Sequence, residues 1–184
     1  MGRYLAIGIT TNLAFQKKEA ENAFESIQNA IKYVEDNYAP LDIYDRTENE
    51  EYVMFKIKKE LLETELIDFL GDFYAARMSF NGKSGECDSL ISTLKEAHTA
   101  EEIMSLAADK RWEHFQKDSY WESICIRDEL WHRVYLDMEG IDLSLDGKIL
   151  MECYGGLFKF FTSLVQEKFN KYSLSKALRV TITG

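Results

Sequence analysis

The sequence predicts an α+β domain in which helices pack on a mixed or antiparallel sheet. The hydrophobic pattern has a period of two in some segments and of three to four in others, and turn signals separate them. Hydrophobic residues make up 46% of the chain and charged residues 29%, which is typical of a globular protein. Its 184 residues fit one domain, with room for a helical insertion near residues 80–116.

The first third of the chain predicts a β-α-β-β order. Residues 4–9 form a nearly continuous apolar run, typical of a central strand that is buried on both faces. Residues 17–38 place apolar side chains every three or four positions, which predicts one helix that ends before Pro40. Residues 41–45 and 52–58 predict the two strands of a hairpin.

The middle of the chain predicts helices. One begins near residue 60, where apolar side chains share a face and acidic side chains share the opposite face. Residues 81–85, rich in glycine and polar side chains, predict a loop. Helical patterns over residues 86–96 and 100–115 follow, and these two helices would form the insertion.

The last third returns to a period of two. Strands are predicted over residues 120–126, 131–138 and 149–154, then a helix that opens at Gly155-Gly156, and a final strand over residues 178–182. Both ends of the chain therefore carry elements that resemble the ferredoxin-like β-α-β-β-α arrangement.

Charge and cysteine content restrict the class of partner. The net charge is −10, and residues 60–147 hold 20 acidic against 8 basic side chains. Such a charge distribution disfavours nucleic acid and anionic membranes as partners. It leaves a protein partner with a basic surface, a cation, or simple solubility. The three cysteines are widely spaced, as expected of reduced thiols in a cytoplasmic protein.

Two loops are candidate ligand sites. Thr11 and Asn12 follow the first apolar run, and ligands often bind where buried strands end, although the same side chains can simply satisfy a turn. Gly155 and Gly156 lie between a strand and a helix, where backbone amides can hold a phosphate or merely form a tight turn.

An aromatic segment is the third candidate. Trp121, Trp131 and His132 lie in a stretch dense in aromatic rings. These rings can stack on a sugar, a base or a partner side chain, or they can be ordinary packing.

The segment beginning at Asp142 resembles the opening of a calcium loop, but position twelve is Cys153 instead of a bidentate glutamate. We therefore expect no metal site and no cofactor.

Three classes of function remain. The first is a noncatalytic protein-interaction module, such as an inhibitor, an immunity-type protein or a regulator, and it is favoured by the acidic middle and the aromatic segment. The second is a small-molecule-binding domain or an enzyme whose active site is assembled from distant residues. The third is a homo-oligomeric structural subunit.

Overall fold

A computed structural model describes residues 4–80, 96, 119–129, 132–142 and 169–183. In chain order the elements are β1 (Tyr4–Gln16), α1 (Lys17–Phe24), α2 (Ile27–Asn37), β2 (Tyr44–Glu48), β3 (Tyr52–Ile57), α3 (Lys59–Phe80), β4 (Ser119–Glu129), β5 (His132–Asp142), a 3₁₀ helix (Ser173–Ala177) and β6 (Leu178–Thr183). The strands form one open antiparallel sheet, which confirms the α+β class. The ferredoxin-like arrangement stays a prediction.

Strand β1 is the centre of the sheet. The strand order is β2-β3-β1-β5-β4, and β6 also pairs with β1. Residues 12–16 of β1 pair with β3 and residues 4–9 pair with β6, while residues 8–14 pair with β5. Because a strand has only two edges, β3 and β6 lie end to end along one edge of β1, and β5 occupies the other.

Strand β1 is longer than the predicted strand over residues 4–9. The polar residues that interrupt the apolar run do not end the strand, because they sit at a bulge opposite β5 and apolar alternation resumes beyond them. Leu13 and Phe15 are both buried after this bulge. The strand therefore reaches Gln16, where α1 begins.

The predicted single helix over residues 17–38 is two helices. Glu25 adopts a left-handed conformation with φ of 66°, which ends α1. Ser26 then caps α2, since its hydroxyl accepts a hydrogen bond from the amide of Asn29 at 3.2 Å. The Asn29 side chain also donates to the carbonyl of Phe24 at 3.0 Å, so the break satisfies backbone groups on both of its sides.

The β2–β3 hairpin forms as predicted, with β2 shifted by three residues toward the C-terminus. Its turn is held by Asn49, whose side-chain oxygen accepts hydrogen bonds from the amides of Glu51 and Tyr52 at 2.9 and 2.7 Å. This turn chemistry fixes where the hairpin closes, and hence the register of both strands.

The core lies between the sheet and the helices. Alternate side chains of the central strands are buried, and so are side chains from α1 and α2: Leu13, Phe15, Val53, Phe55, Val134, Leu136, Met138, Ala20, Phe24, Ala30, Ile31 and Val34. Helix α3 adds an aromatic cluster in which Phe69 lies edge-on to Phe169 at 5.0 Å between ring centroids. Arg179 of β6 donates to the carbonyl of Tyr38 at 2.6 Å and so ties β6 to the end of α2.

Strands β4, β5 and β6 confirm the predicted strands near residues 120–126, 131–138 and 178–182. The predicted loop over residues 81–85, the helix over residues 100–115 and the strand over residues 149–154 lie outside the described residues. Of the helix predicted over residues 86–96, only Glu96 is described, and it is helical. No helix in the described part of the chain has the length and apolar character needed to span a membrane.

Candidate functional site

The candidate site lies along one edge of β5. Strand β5 pairs with β4 over residues 132–140, but it pairs with β1 only over residues 137–142. Beyond Ala14, which is opposite Asp137, β1 approaches its end and the chain turns into α1. Among the described residues, residues 132–136 therefore have a neighbouring strand on one edge only.

A side chain of α1 takes the place that a strand would occupy on this edge. The carboxylate of Glu19 accepts a hydrogen bond from the backbone amide of Tyr135 at 3.4 Å. This distance is longer than the usual 2.7–3.2 Å, so the bond is weak. The amide of Tyr135 thus faces α1 and has a side-chain oxygen as its acceptor instead of a strand carbonyl.

A groove of about 470 Å³ opens between α1 and β5, and its walls are polar. Its lining side chains are a carboxylate, an amide, an imidazole, a guanidinium and a phenol, from Glu19, Asn22, His132, Arg133 and Tyr135. Tyr135 is 39% exposed, which makes it one of two exposed large hydrophobic side chains in the described part of the chain. His132 and Arg133 are exposed as well.

Most polar groups of the groove have hydrogen-bonding capacity to spare. In the described part of the chain, the side chains of Asn22, His132 and Tyr135 have no recorded hydrogen bond, and the only recorded partner of Glu19 is the amide of Tyr135. Arg133 takes part in another interaction within the chain. The groove can therefore offer both donors and acceptors to a polar ligand.

Acidic side chains continue from the groove along the same strand. Tyr135, Asp137 and Glu139 alternate with the buried Leu136 and Met138, so they share the face of β5 that points away from the core. Glu139 is exposed and Asp137 half-buried. We call Tyr135, Asp137 and Glu139 the outer strip of β5. An exposed ring and two carboxylates thus lie in one line.

Thr11 and Asn12 lie within β1 and not in a turn after the first strand, which corrects the predicted position. The hydroxyl of Thr11 donates to the carbonyl of Glu139 at 3.3 Å, and the Asn12 amide donates to the Glu139 carboxylate at 3.1 Å. These bonds join the bulge of β1 to the far end of the outer strip. A ligand-binding role for Thr11 and Asn12 stays a prediction.

The bulge also brings the two backbones close together. A Cβ atom at Gly140 would lie 2.3 Å from the carbonyl oxygen of Ile9.

Tyr44 donates its hydroxyl hydrogen to the carbonyl of Thr10 at 2.8 Å. Burial raises the pKa of the Tyr44 phenol well above its usual value, while the positive charge of Arg179 lowers it to a smaller extent.

Of the other predicted site residues, His132 lies in the groove. Trp121 lies in β4 at an irregular position opposite β5, where the register shifts between Tyr120 and Glu122. Trp131, Gly155 and Gly156 lie outside the described residues. Of the four predicted residues that the structure describes, it brings His132 into the groove and places Thr11 and Asn12 beside the opposite end of β5.

Sequence reasoning missed Glu19, Asn22 and Arg133 as lining residues, and it included Tyr135 only as one ring of the aromatic segment. The alternation along β5, with Arg133, Tyr135, Asp137 and Glu139 at polar positions, carried a signal for the outer strip. No local signal pointed to Glu19 or Asn22, because Glu19 meets Tyr135 across 116 residues of sequence.

The described residues contain no group of three or more histidine, cysteine, aspartate or glutamate side chains arranged to hold a metal ion. The described lining of the groove contributes one imidazole and one carboxylate. Comparisons of the chain with protein-family models, with curated proteins and with solved structures find no match.

Proposed function

We propose that the chain is a cytoplasmic, noncatalytic protein-interaction module of the inhibitor, immunity-type or regulatory kind, and that its partner presents a basic surface. The observation that carries this proposal is the exposed ring of Tyr135, which lies at the junction of the polar groove and the acidic outer strip.

A partly exposed tyrosine on a strand suits an interface. Its ring supplies a large contact area with few rotatable bonds, and its hydroxyl can bond to polar groups at the rim of the contact. The strand that carries Tyr135 is held in place by buried Val134 and Leu136 on either side of it. Because these neighbours fix the backbone, little conformational entropy is lost when a partner packs on the ring.

Charge supports a basic partner. Glu19 lines the groove together with one basic residue, Arg133, and Asp137 and Glu139 carry negative charge along the outer strip. The whole chain carries a net charge of −10, which attracts a positively charged protein before contact and speeds association. This long-range attraction predicts an association rate that falls as salt is added.

The second candidate function is a small-molecule-binding domain, and the groove is the observation that favours it. A concave space of about 470 Å³ with several polar groups lies within the size range of ligand pockets. Its polar walls distinguish it from the mostly apolar lining of such pockets, so we place this candidate second.

A photo-cross-linking experiment tests the proposal. A benzophenone amino acid at position 135 is expected to capture one specific protein in the cells that make this chain, with slower association of the purified pair at higher salt. The same group at Leu41, the other exposed large hydrophobic side chain among the described residues, is the matched control. Capture that is equal at both positions, or absent at position 135, contradicts the proposal, and capture of a second copy supports the homo-oligomeric class instead.

A further inference from the structure

We propose that the groove receives an extended segment of the partner, which adds to β5 as a strand in line with β1 and directs a lysine or arginine side chain to Glu19. This inference rests on the proposed function, because it names the kind of partner surface that the groove recognises. Three features of the described residues carry it: the strand edge, the position of Glu19 and the contrast with the edge strand β2.

The strand edge provides the backbone groups. In an antiparallel sheet, the amide and carbonyl of one residue point to the same edge, and successive residues alternate. The amide of Tyr135 points to the groove, and the carbonyl of Glu139 points to β1, so odd-numbered residues of β5 face this edge. A segment opposite residues 132–136 would meet the same pattern that β1 meets at residues 137–142.

Glu19 indicates the charge of one incoming side chain, because the other charged residue that lines the groove, Arg133, already takes part in an interaction within the chain. Its carboxylate bonds only weakly to the Tyr135 amide, at 3.4 Å, and a peptide carbonyl would be a natural replacement acceptor. The displaced carboxylate has no other recorded partner in the described part of the chain. A basic side chain of the added segment would pair with it, and the amide of Asn22 and the imidazole of His132 would bond to its polar groups.

The edge strand β2 shows how this protein protects an edge that is not used for pairing. Arg46 of β2 pairs with Glu35 of α2 at 2.6 Å, and Glu48 pairs with Lys17 at 2.9 Å. Charged side chains that are fixed in this way discourage the addition of another strand. The edge at residues 132–136 has the weakly bound carboxylate of Glu19 beside an open space, and Arg133 is the other charged side chain there.

A peptide titration tests this inference on the whole chain. The probe is a capped pentapeptide, Thr-Val-Lys-Val-Thr, which favours an extended conformation. Two control peptides replace both valines with proline, which removes amide donors, or replace lysine with glutamate. We expect the lysine peptide to shift the amide signals of residues 132–136 and to slow hydrogen exchange of the Tyr135 amide, and we expect neither control to do so.

Variants at two glutamates of α1 make the charge test specific. Glu19→Gln is expected to weaken binding of the lysine peptide by about two- to fivefold, as for a solvent-accessible ion pair. Glu21→Gln, at an exposed position of the same helix, is expected to leave binding unchanged.

Any of four results would overturn the inference. They are equal binding of the proline peptide, signal shifts elsewhere in the sheet, equal effects of the two variants, and no binding at millimolar peptide. If cross-linking at position 135 still captures one protein in that case, the proposed function stands and the partner docks through a folded surface.

Discussion

The two ends of strand β5 have opposite environments. At residues 137–140, β5 lies between β1 and β4, and Thr11, Asn12 and the close backbone at Gly140 hold it in place. At residues 132–136, β4 covers one edge, and a single carboxylate and a groove lie along the other. One end of β5 is therefore fixed by neighbouring strands, and the other end has backbone groups on one edge that can pair with an added strand.

The difference arises where β1 ends. Because α1 begins at Lys17, the backbone that would have covered residues 132–136 turns away, and the amide of Lys17 bonds instead to the carbonyl of Glu51 at 2.8 Å. The side chains of the β2–β3 hairpin are joined to α1 and α2 by ion pairs, whereas most groove side chains have no recorded partner in the described part of the chain. Changes at the two ends of β5 should thus have separable effects on stability and on binding.

The largest expected effect comes from the buried face of β5. Leu136→Ala should lower the free energy of unfolding by about 2–5 kcal/mol, because Leu136 is fully buried and its loss leaves a cavity. Tyr135→Thr, one residue away on the outer strip, should change it by less than about 0.5 kcal/mol while it weakens binding of the partner. Urea unfolding measures both. Similar losses for the two variants would mean that Tyr135 belongs to the core.

The next effect comes from the closed end of β5. Gly140→Ala should cost about 1–3 kcal/mol, because the new methyl group would lie 2.3 Å from the backbone oxygen of Ile9 and the strands would have to move apart. Gly71→Ala in α3 is the matched control, since no atom of the described residues outside its own stretch of helix lies within 4 Å of the added methyl group, and it should stabilise the helix by up to about 1 kcal/mol. Thermal unfolding that gives the two variants the same sign would refute the close packing at Gly140.

A pH effect follows from Tyr44, which bonds to Thr10 beside the bulge. Because burial raises the pKa of its phenol in the folded chain, the unfolded chain loses this proton first as the pH rises past about 10. The free energy of unfolding then falls by up to about 1.4 kcal/mol per pH unit. Below pH 10 both states keep the proton, and the contribution of Tyr44 to the free energy of unfolding is fully present. Urea unfolding from about pH 8 to pH 11.5 should show a shallower alkaline decline for Tyr44→Phe than for the unsubstituted chain. Equal slopes would contradict this assignment.

The smallest effect concerns two neighbouring threonines at the bulge. The Thr10 hydroxyl is buried and has no hydrogen-bond partner in the described part of the chain, so Thr10→Val should leave stability unchanged or raise it by up to about 1 kcal/mol. The hydroxyl of Thr11 donates to Glu139, so Thr11→Val should cost about 0.5–1.5 kcal/mol. A loss at Thr10 as large as that at Thr11 would reveal a hydrogen bond to the Thr10 hydroxyl.

The elements were more predictable from the sequence than the site. Residues 52–57 alternate in burial as their apolar pattern predicted, because a strand with one buried face leaves a period of two in its own sequence. The break at Glu25 was not predicted, because the apolar period continues through it and the Ser26 cap overrides that pattern locally. Thr11 and Asn12 were polar enough to suggest a turn, but the pairing of Asn12 with Lys56 of β3 and the bonds of both side chains to distant Glu139 keep them in a strand.

The groove could not be predicted because it depends on where two elements meet. Tyr135 was visible as an aromatic residue at a polar position of a strand. Its neighbour Glu19 is one of 32 acidic residues, and nothing in its local sequence distinguishes it from Glu21. The position where β1 ends decides which of these acids lies beside the open edge of β5.

Residue-resolved amide hydrogen exchange along β5 tests this account most directly. The amides of Tyr135 and Glu139 face the same edge, one toward the groove and one toward β1. The account predicts that the Tyr135 amide exchanges through local opening and much faster than the Glu139 amide, which exchanges only when the sheet opens. Equal protection of the two amides would contradict it, because the edge at residues 132–136 would then be closed in the free protein.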